Sequence, residues 1–408
     1  MSNKKSHIIA SLDIGTSKVA VVIGELNRDG LKIIGFGRAE NFGVRQGAVI
    51  NIEATSQAIQ KAKMDAELMA GQPIKSVWVS VSGNHVKSFD SSGMVAVKNY
   101  EVAAEDISRV IDVAKAVAIP ADREMIHVLP KDYTIDGQEG ISDPLGMTGV
   151  RLEANVHIVT ANKSALQNTM KCVEKAELSV NGIVLQQLAS SLAVLSAEER
   201  KLGCCVIDIG GGTSDMIVYS NGSVIATDVV PIGGINFVQD VAVGLKTTQV
   251  AAEKLIKEHG AALTELATDE SIEVESVGGR QSRTISEIDL CKIIEARAEE
   301  TIEIFKDQLN KYRTQLGSGV VLTGGVVNLN GIVEMCDYLL DLPVRRGWPK
   351  KVSGLKEVLN SSEYSTSVGL LIFGIEKIKS KTSVESKSFM DRSSQWARVV
   401  KDFFGEAF

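Results

Sequence analysis

Several things are scarce in this chain of 408 residues, and each shortage narrows what it can be. There is no surplus of basic charge. The net charge of −7 argues against a surface built mainly for nucleic acid, whose phosphates would repel it. The five cysteines (Cys172, Cys204, Cys205, Cys291, Cys336) are odd in number and scattered, with neither a disulfide framework nor metal-ligand spacing, which suits a reducing compartment. The five histidines are isolated and read as ordinary surface or core residues. No run reaches the ~18 apolar residues needed to span a bilayer. The polar start, Met1 to His7, leads straight into a strand and does not read as a signal peptide. Aromatics are only 5%, beside 44% apolar and 23% charged residues, the composition of a soluble globular protein. The length is too great for one ordinary core, so two or more domains are expected.

What the chain does contain is a glycine-rich turn. In Cys204-Cys205-Val206-Ile207-Asp208-Ile209-Gly210-Gly211-Gly212-Thr213-Ser214-Asp215, a short apolar run ends at an acid, then come three glycines, two hydroxyls and a second acid. Without Cβ atoms, successive backbone N–H groups can approach an anion closely. Thr213 and Ser214 add hydroxyl donors, and Asp208 stands where it can hold Mg2+ through water. Taken alone, the run is equally well a turn between two strands. The chain repeats it, however. Residues Ile8 to Leu12 lead to Asp13-Ile14-Gly15-Thr16-Ser17-Lys18, a strand Val19 to Ile23, a turn at Asn27 to Gly30 and a strand Leu31 to Phe36. After Gly210 come a strand Met216 to Tyr219, the turn Asn221-Gly222 and a strand Ser223 to Val230. The same supersecondary unit occurs twice. Two such halves face to face would grip a polyphosphate from both sides.

Helical periodicity fills much of the rest. Segments are expected at 52–69, 104–117, 164–176, 185–195, 235–243, 249–258, 286–312, 331–340 and 367–374, with strands at Val77 to Val81, Ile126 to Leu129, Val156 to Thr160 and Val320 to Thr323. Residues 263–277 read as polar and strand-like, and 136–149 as rich in turns. Helix 185–195 is rich in small residues (Ala189, Ser190, Ser191, Ala193), which would let two halves pack closely.

These parts in this order resemble the actin-like ATPase superfamily, and within it the FtsA family of bacterial cell division proteins, over nearly the whole chain. Lys131 to Ile141, Asp143 to Leu152, Val277 to Arg280 and Tyr364 to Leu371 carry the resemblance to FtsA. It implies an α/β, actin-like (ribonuclease H-like) two-domain fold with a duplicated sheet core, an inserted subdomain and a C-terminal amphipathic helix. The implied subdomains are 1A at 6–83 and 161–200, an inserted SHS2-like 1C at 84–160, 2A at 201–235, 2B at 236–305, the second part of 2A with the return to 1A at 306–376, a flexible linker at 377–391 and a membrane-targeting helix at 392–408. The implied ligands are ATP and Mg2+. ATP would meet Asp13, Gly15, Thr16, Ser17, Lys18, Asp208, Gly210, Gly211, Gly212, Thr213, Gly233, Gly234, Glu253, Gly324 and Gly325, and Mg2+ would be held through water by Asp13 and Asp208. The superfamily pairs the adenosine-contacting Glu with a Lys three residues on; here Ile256 stands there, between Lys254 and Lys257, so only Glu253 is carried over. Gln186 and Gln187 are both candidates to position water. Glutamine is a poor proton acceptor, so binding with slow hydrolysis is the expectation.

The tail is read from its own pattern. Trp396, Val399, Val400, Phe403, Phe404 and Phe408 form one helical stripe, with Arg398, Lys401, Asp402 and Glu406 opposite. A helix docking on its own domain would share that pattern. The polar tract before it and its aromatic content fit an interfacial membrane helix, and the family resemblance implies one. The resemblance further implies self-association into an actin-like protofilament, attachment at the cytoplasmic face of the inner membrane at the division site, capture of the C-terminal tail of FtsZ by the smaller subdomain (Arg297 being the candidate contact), and recruitment of later division proteins. The rivals are a small-molecule kinase of the same fold, for which no further cleft carboxylate is visible, and a chaperone, for which no substrate domain follows.

Overall fold

The computed structural model describes residues 7–27, 30–276, 281–350, 352–355, 358 and 360–387, with 380–387 as helix backbone alone. The tail residues Trp396, Val399, Val400, Phe403, Phe404 and Phe408, and the stretch 277–280, lie outside the described residues.

The first half opens with β1 (His7–Ile14), β2 (Lys18–Asn27) and β3 (Gly30–Glu40), followed by short strands β4 (Val44–Arg45) and β5 (Ala48–Val49), then α1 (Ile52–Ala70) and β6 (Ser76–Val81). A module intervenes: β7 (Val86–Ala96), α2 (Ala104–Lys115), β8 (Arg123–Ile135), β9 (Gln138–Ile141) and β10 (Arg151–Asn162). The half resumes with α3 (Lys163–Lys175), β11 (Ser179–Leu185), α4 (Gln186–Val194) and α5 (Ala197–Leu202). The second half runs β12 (Cys204–Ile209), β13 (Ser214–Ser220), β14 (Ser223–Val230), α6 (Gly234–Gly244), α7 (Gln249–His259), β15 (Ser271–Val274), β16 (Arg283–Ser286), α8 (Glu287–Leu309), β17 (Val320–Thr323), α9 (Ile332–Leu340), β18 (Val344–Arg346), β19 (Val352–Gly354) and α10 (Ser365–Lys387).

The duplication is complete. One sheet has the order β11-β6-β1-β2-β3, extended by β19, and the other β18-β17-β12-β13-β14. In both, the first two strands form an antiparallel hairpin, and the first strand pairs in parallel with the fourth. Even the register repeats: Asp13 lies opposite Ala20, and Asp208 opposite Asp215, seven residues on in each case. The sequence sets this locally. All six residues of β12 are buried, as a central strand covered on both faces requires. Asn221 and Gly222 both take positive φ (52° and 85°), the backbone that a two-residue hairpin turn needs.

A central core lies between the sheets and is filled by α4 and α10, with Leu188, Ala189, Leu192, Val368, Leu370 and Leu371 all buried. The two helices cross where Gly369 meets Ala189; a Cβ on Gly369 would collide with the Ala189 carbonyl. Small residues at this crossing let the halves approach, as the composition of residues 185–195 predicts.

Four expectations need correction. The strands of the module are far longer than the runs 126–129 and 156–160, and β7 is an addition: its serine-rich sequence has weak alternation, and its eleven paired positions with β10 define it. Among the described residues of 263–277, only Ser271–Val274 form a strand, after a short 3-10 turn at Thr264–Leu266. Residues 377–387, expected as part of a flexible linker, continue α10. No glycine or proline stands between 375 and 387 to stop it, Ile375 is buried and Ile378 packs on the central core. Residues 388–391 are outside the described range.

Candidate functional site: two loops and their buttresses

The two loops meet at the seam between the halves. Each closes the same turn: Gly15 N–H donates to the Lys18 carbonyl, and Gly210 N–H to the Thr213 carbonyl, both at 2.9 Å. Each is also held from behind. Asn41 donates its side-chain amide to the Gly15 carbonyl (2.8 Å) and its backbone N–H to the Ser17 carbonyl (3.1 Å). In the second loop the start of α6 does this work, with Gly234 N–H to the Gly210 carbonyl (2.9 Å) and Ile235 N–H to the Gly211 carbonyl (2.8 Å). In a trans peptide the C=O and N–H point opposite ways. Pinning these carbonyls therefore turns the N–H groups of Thr16, Gly211 and Gly212 away from the buttresses. The glycines are also a steric requirement. A Cβ on Gly211 would lie 2.8 Å from Ser17 Oγ, one on Gly212 would collide with Thr16, and one on Gly233 would lie 2.7 Å from the Gly210 carbonyl oxygen.

Three carboxylates cluster beneath the loops. Asp13 accepts from Ser80 Oγ at 2.7 Å, and burial raises its pKa. Asp208 accepts from Thr366 Oγ1 at 3.0 Å; burial, reinforced by the charge of Asp13, pushes its pKa up to about 6 against the hydroxyls of Thr366 and Ser190. Asp208 is thus held by residues of both crossing helices. Burial pushes Asp215 up to about 8, despite hydrogen bonds from Ser82 (2.5 Å) and Thr213 (3.1 Å). Ser82 directly follows β6, so this bond spans the seam. Buried acids that resist ionisation suit a site completed by a hydrated divalent cation. Among the described residues no three acids, histidines or cysteines are arranged to chelate a metal directly, so Asp13 and Asp208 would act through its waters.

Lys18 does not point freely into the cleft. Its ammonium lies 2.6 Å from Glu363 Oε1, bonds the Glu363 carbonyl at 3.1 Å and sits 4.5 Å from the centre of the Tyr364 ring. Burial lowers its pKa, against the pull of Glu363. Gly324 approaches Asp208: a Cβ there would lie 2.6 Å from Oδ1. Gly325 faces Glu363, and Gly234 faces Val326. Asp13, the loop residues 15–18 and 210–213, Gly233, Gly234, Gly324 and Gly325 therefore converge. Glu253 is exposed on α7 and paired with Lys257 at 2.6 Å. Lys257 is near enough to Glu363 to help keep it ionised.

The two glutamines separate. Gln186 Nε2 lies 3.8 Å from the position of a Cβ on Gly210, so Gln186 faces the glycine loop. Gln187 is fully buried and spends its amide N–H on the Asp228 carbonyl (3.2 Å) of β14. The reading of Gln187 as a water-positioning group is corrected on that ground. Arg297, on α8, binds Asp240 at 2.5 Å and also Glu300. Asn41, Ser80, Ser82, Ser190, Glu363 and Thr366 are site residues that the sequence reading passed over. The polar positions of Ser80 and Ser82 at the C-terminal end of an apolar parallel strand were the available signal.

Two family descriptions match the chain: "SHS2 domain inserted in FTSA" over residues 83–160 and "Cell division protein FtsA" over residues 205–369. The cell division protein FtsA of Pseudomonas aeruginosa is 44% identical over 380 residues, 92% of this chain and 91% of that protein. The chain belongs to the FtsA family. The FtsA of Escherichia coli is 36% identical over 409 residues, covering 96% of this chain and 97% of that one. The FtsA of Bacillus subtilis is 38% identical over 377 residues, covering 91% and 84%. The fold is also that of the PilM-PilN type IV pilus biogenesis complex (TM-score 0.65, 16% identity, 90% of this chain and 98% of that one) and of MreB 5 of Spiroplasma citri bound to AMPPNP (0.53, 14%, 94% and 99%). This FtsA-family chain is thus an actin-like cell division protein with an inserted SHS2 domain.

Proposed function

We propose that the chain binds ATP with Mg2+ between its two loops and that the bound nucleotide sets a conformation able to polymerise. The observation that carries this reading is the pair of buttressed loops, whose N–H groups at Thr16, Gly211 and Gly212 are aimed by Asn41 and by the start of α6. The Spiroplasma protein of the same fold is a nucleotide complex, which supports the choice of ligand. Asp13 and Asp208 hold the hydrated metal, which neutralises phosphate charge. Thr16, Ser17 and Thr213 add hydroxyl donors. Gly233, Gly234, Gly324 and Gly325 leave room for the rest of the nucleotide, with Glu253 on the adenosine side. Gln186 orients water without accepting its proton strongly, so turnover is slow.

In this reading the filament lies on the cytoplasmic face of the inner membrane, attached peripherally by residues 392–408, and tethers the ring formed by FtsZ. The FtsZ tail meets the smaller subdomain near Arg297, exchanging with Asp240 and Glu300, and the inserted domain meets later division proteins. The tail has three basic and two acidic residues, so charge adds little at about 1 kcal/mol per basic residue. Each buried Phe or Val contributes roughly 1.5–3 kcal/mol at most, less the cost of ordering the helix. One tail therefore binds reversibly, and a polymer gains avidity of about 10²–10⁴-fold.

Electron microscopy of the purified chain on lipid monolayers tests this, with and without ATP and with and without residues 392–408. Filaments are expected only with ATP, and on the monolayer only with the tail. Filaments that form equally well without ATP contradict the proposal.

A further inference from the structure

The inserted domain is covalently part of the first half, yet it touches three other places around the cleft. His127 of β8 accepts a hydrogen bond at Nε2 from Leu185 N–H (3.0 Å), the residue just before α4. His127 is half-buried, and its ring packs edge-on against Phe373 of α10. Burial, with Lys377 nearby, lowers its pKa to about 4, so it stays the neutral acceptor this bond requires. On the other side, the domain grips β14, the edge strand of the second sheet. His157 joins Asp90 through Nδ1 (2.7 Å) and Thr227 Oγ1 through Nε2 (2.8 Å), while Ser88 Oγ donates to the Thr227 carbonyl (3.0 Å). The third side is Gln187, whose amide bonds the carbonyl of Asp228, next to Thr227. Inserted domain, α4 and β14 thus form a closed triangle of hydrogen bonds. Gln186 lies between two of its corners, facing Gly210.

We propose that the inserted domain is a strut that positions the first turn of α4, so that displacing it moves Gln186 relative to the second loop. His127, His157 and Thr227 are positioning residues, and none touches the nucleotide site. A protein that shifts the inserted domain therefore changes the rate of turnover, a kinetic coupling that carries no reciprocity requirement. The assignment of Gln186 rests on the proposed nucleotide reading. The strut itself does not.

The test uses the full chain carrying Thr227→Val, which keeps the β-branched shape and removes the hydroxyl. Amide hydrogen exchange at Leu185 to Leu188 is read without nucleotide. The strut predicts exchange there faster by about tenfold, the scale of one net hydrogen bond, although Thr227 bonds none of these amides. His127→Phe should do the same directly. If Thr227→Val unfolds the chain, Ser88→Ala removes one bond of the same corner. Faster exchange confined to β7, β10 and β14, with Leu185 to Leu188 unchanged, overturns the strut. In a second arm, phosphate release at saturating MgATP should fall several-fold while ATP affinity stays within about twofold. Unchanged release in a variant with loosened Leu185 to Leu188 overturns the link to Gln186. A wild-type chain that binds no ATP overturns the nucleotide reading and leaves the exchange result to decide the strut.

Discussion

Asp13 to Lys18 and Asp208 to Thr213 share a backbone turn and a register but differ in contents and support. The first loop carries Thr16, Ser17 and Lys18; the second carries Gly211, Gly212 and Thr213 in the matching places. The first is braced by a single residue, Asn41, and the second by a helix start. The two also fit together, because the hydroxyl side chains of one occupy the space left by the missing Cβ atoms of the other. Two copies of one unit have become unlike so that they can close on each other. One contributes side-chain donors, the other bare backbone.

That contrast can be broken at several points. Gly212→Val should have the largest effect, weakening MgATP binding about a hundredfold, since the new atoms collide with Thr16. Calorimetric titration measures it, with circular dichroism to show that the fold survives. Asn41→Ala comes next. It leaves the half-buried Gly15 carbonyl without its side-chain donor, a loss of ~1–3 kcal/mol at most in loop order, and about tenfold weaker binding is expected. Equal affinity in this variant would mean that the first loop needs no brace.

The carboxylates give a pH signature. The folded values of Asp208 and Asp215, about 6 and about 8, lie above their ordinary 3.8. Their relative stabilisation of the fold is therefore complete below about pH 4 and is lost as pH rises through 6 and then 8. Thermal melts without metal or nucleotide should show stability falling across that window. MgATP should flatten the fall through Asp208, and Asp215→Asn should remove the upper part of it. The smallest effect concerns Ser17 and Gly211. Gly211→Ala should weaken binding several-fold and Ser17→Ala about twofold, and the double variant should bind better than their product, since the shorter side chain makes room. Strict additivity would show that these residues do not pack on each other.

What could be read from the sequence was local. An apolar run ending in Asp-Ile-Gly, followed by a hairpin, announces itself within a few residues, and its second copy turns a turn into a jaw. The residues that passed unnoticed act through topology. Asn41 becomes a brace only because β3 returns beside β2, Thr366 reaches Asp208 only because α10 crosses α4, and Ser80 meets Asp13 only because β6 lies parallel to β1. Gln186 and Gln187 are indistinguishable by type, and the helix start turns them in different directions. Composition also misled at 377–387, where serine and lysine suggested a linker and the helix simply runs on.

The most direct test of nucleotide binding between the two loops is amide hydrogen exchange at Thr16 and at Gly211 and Gly212, followed as MgATP is titrated. Because both loops aim N–H groups at one ligand, all three amides should become protected together, with a single concentration dependence. Protection of one loop alone, or of neither at saturating nucleotide, would contradict the account.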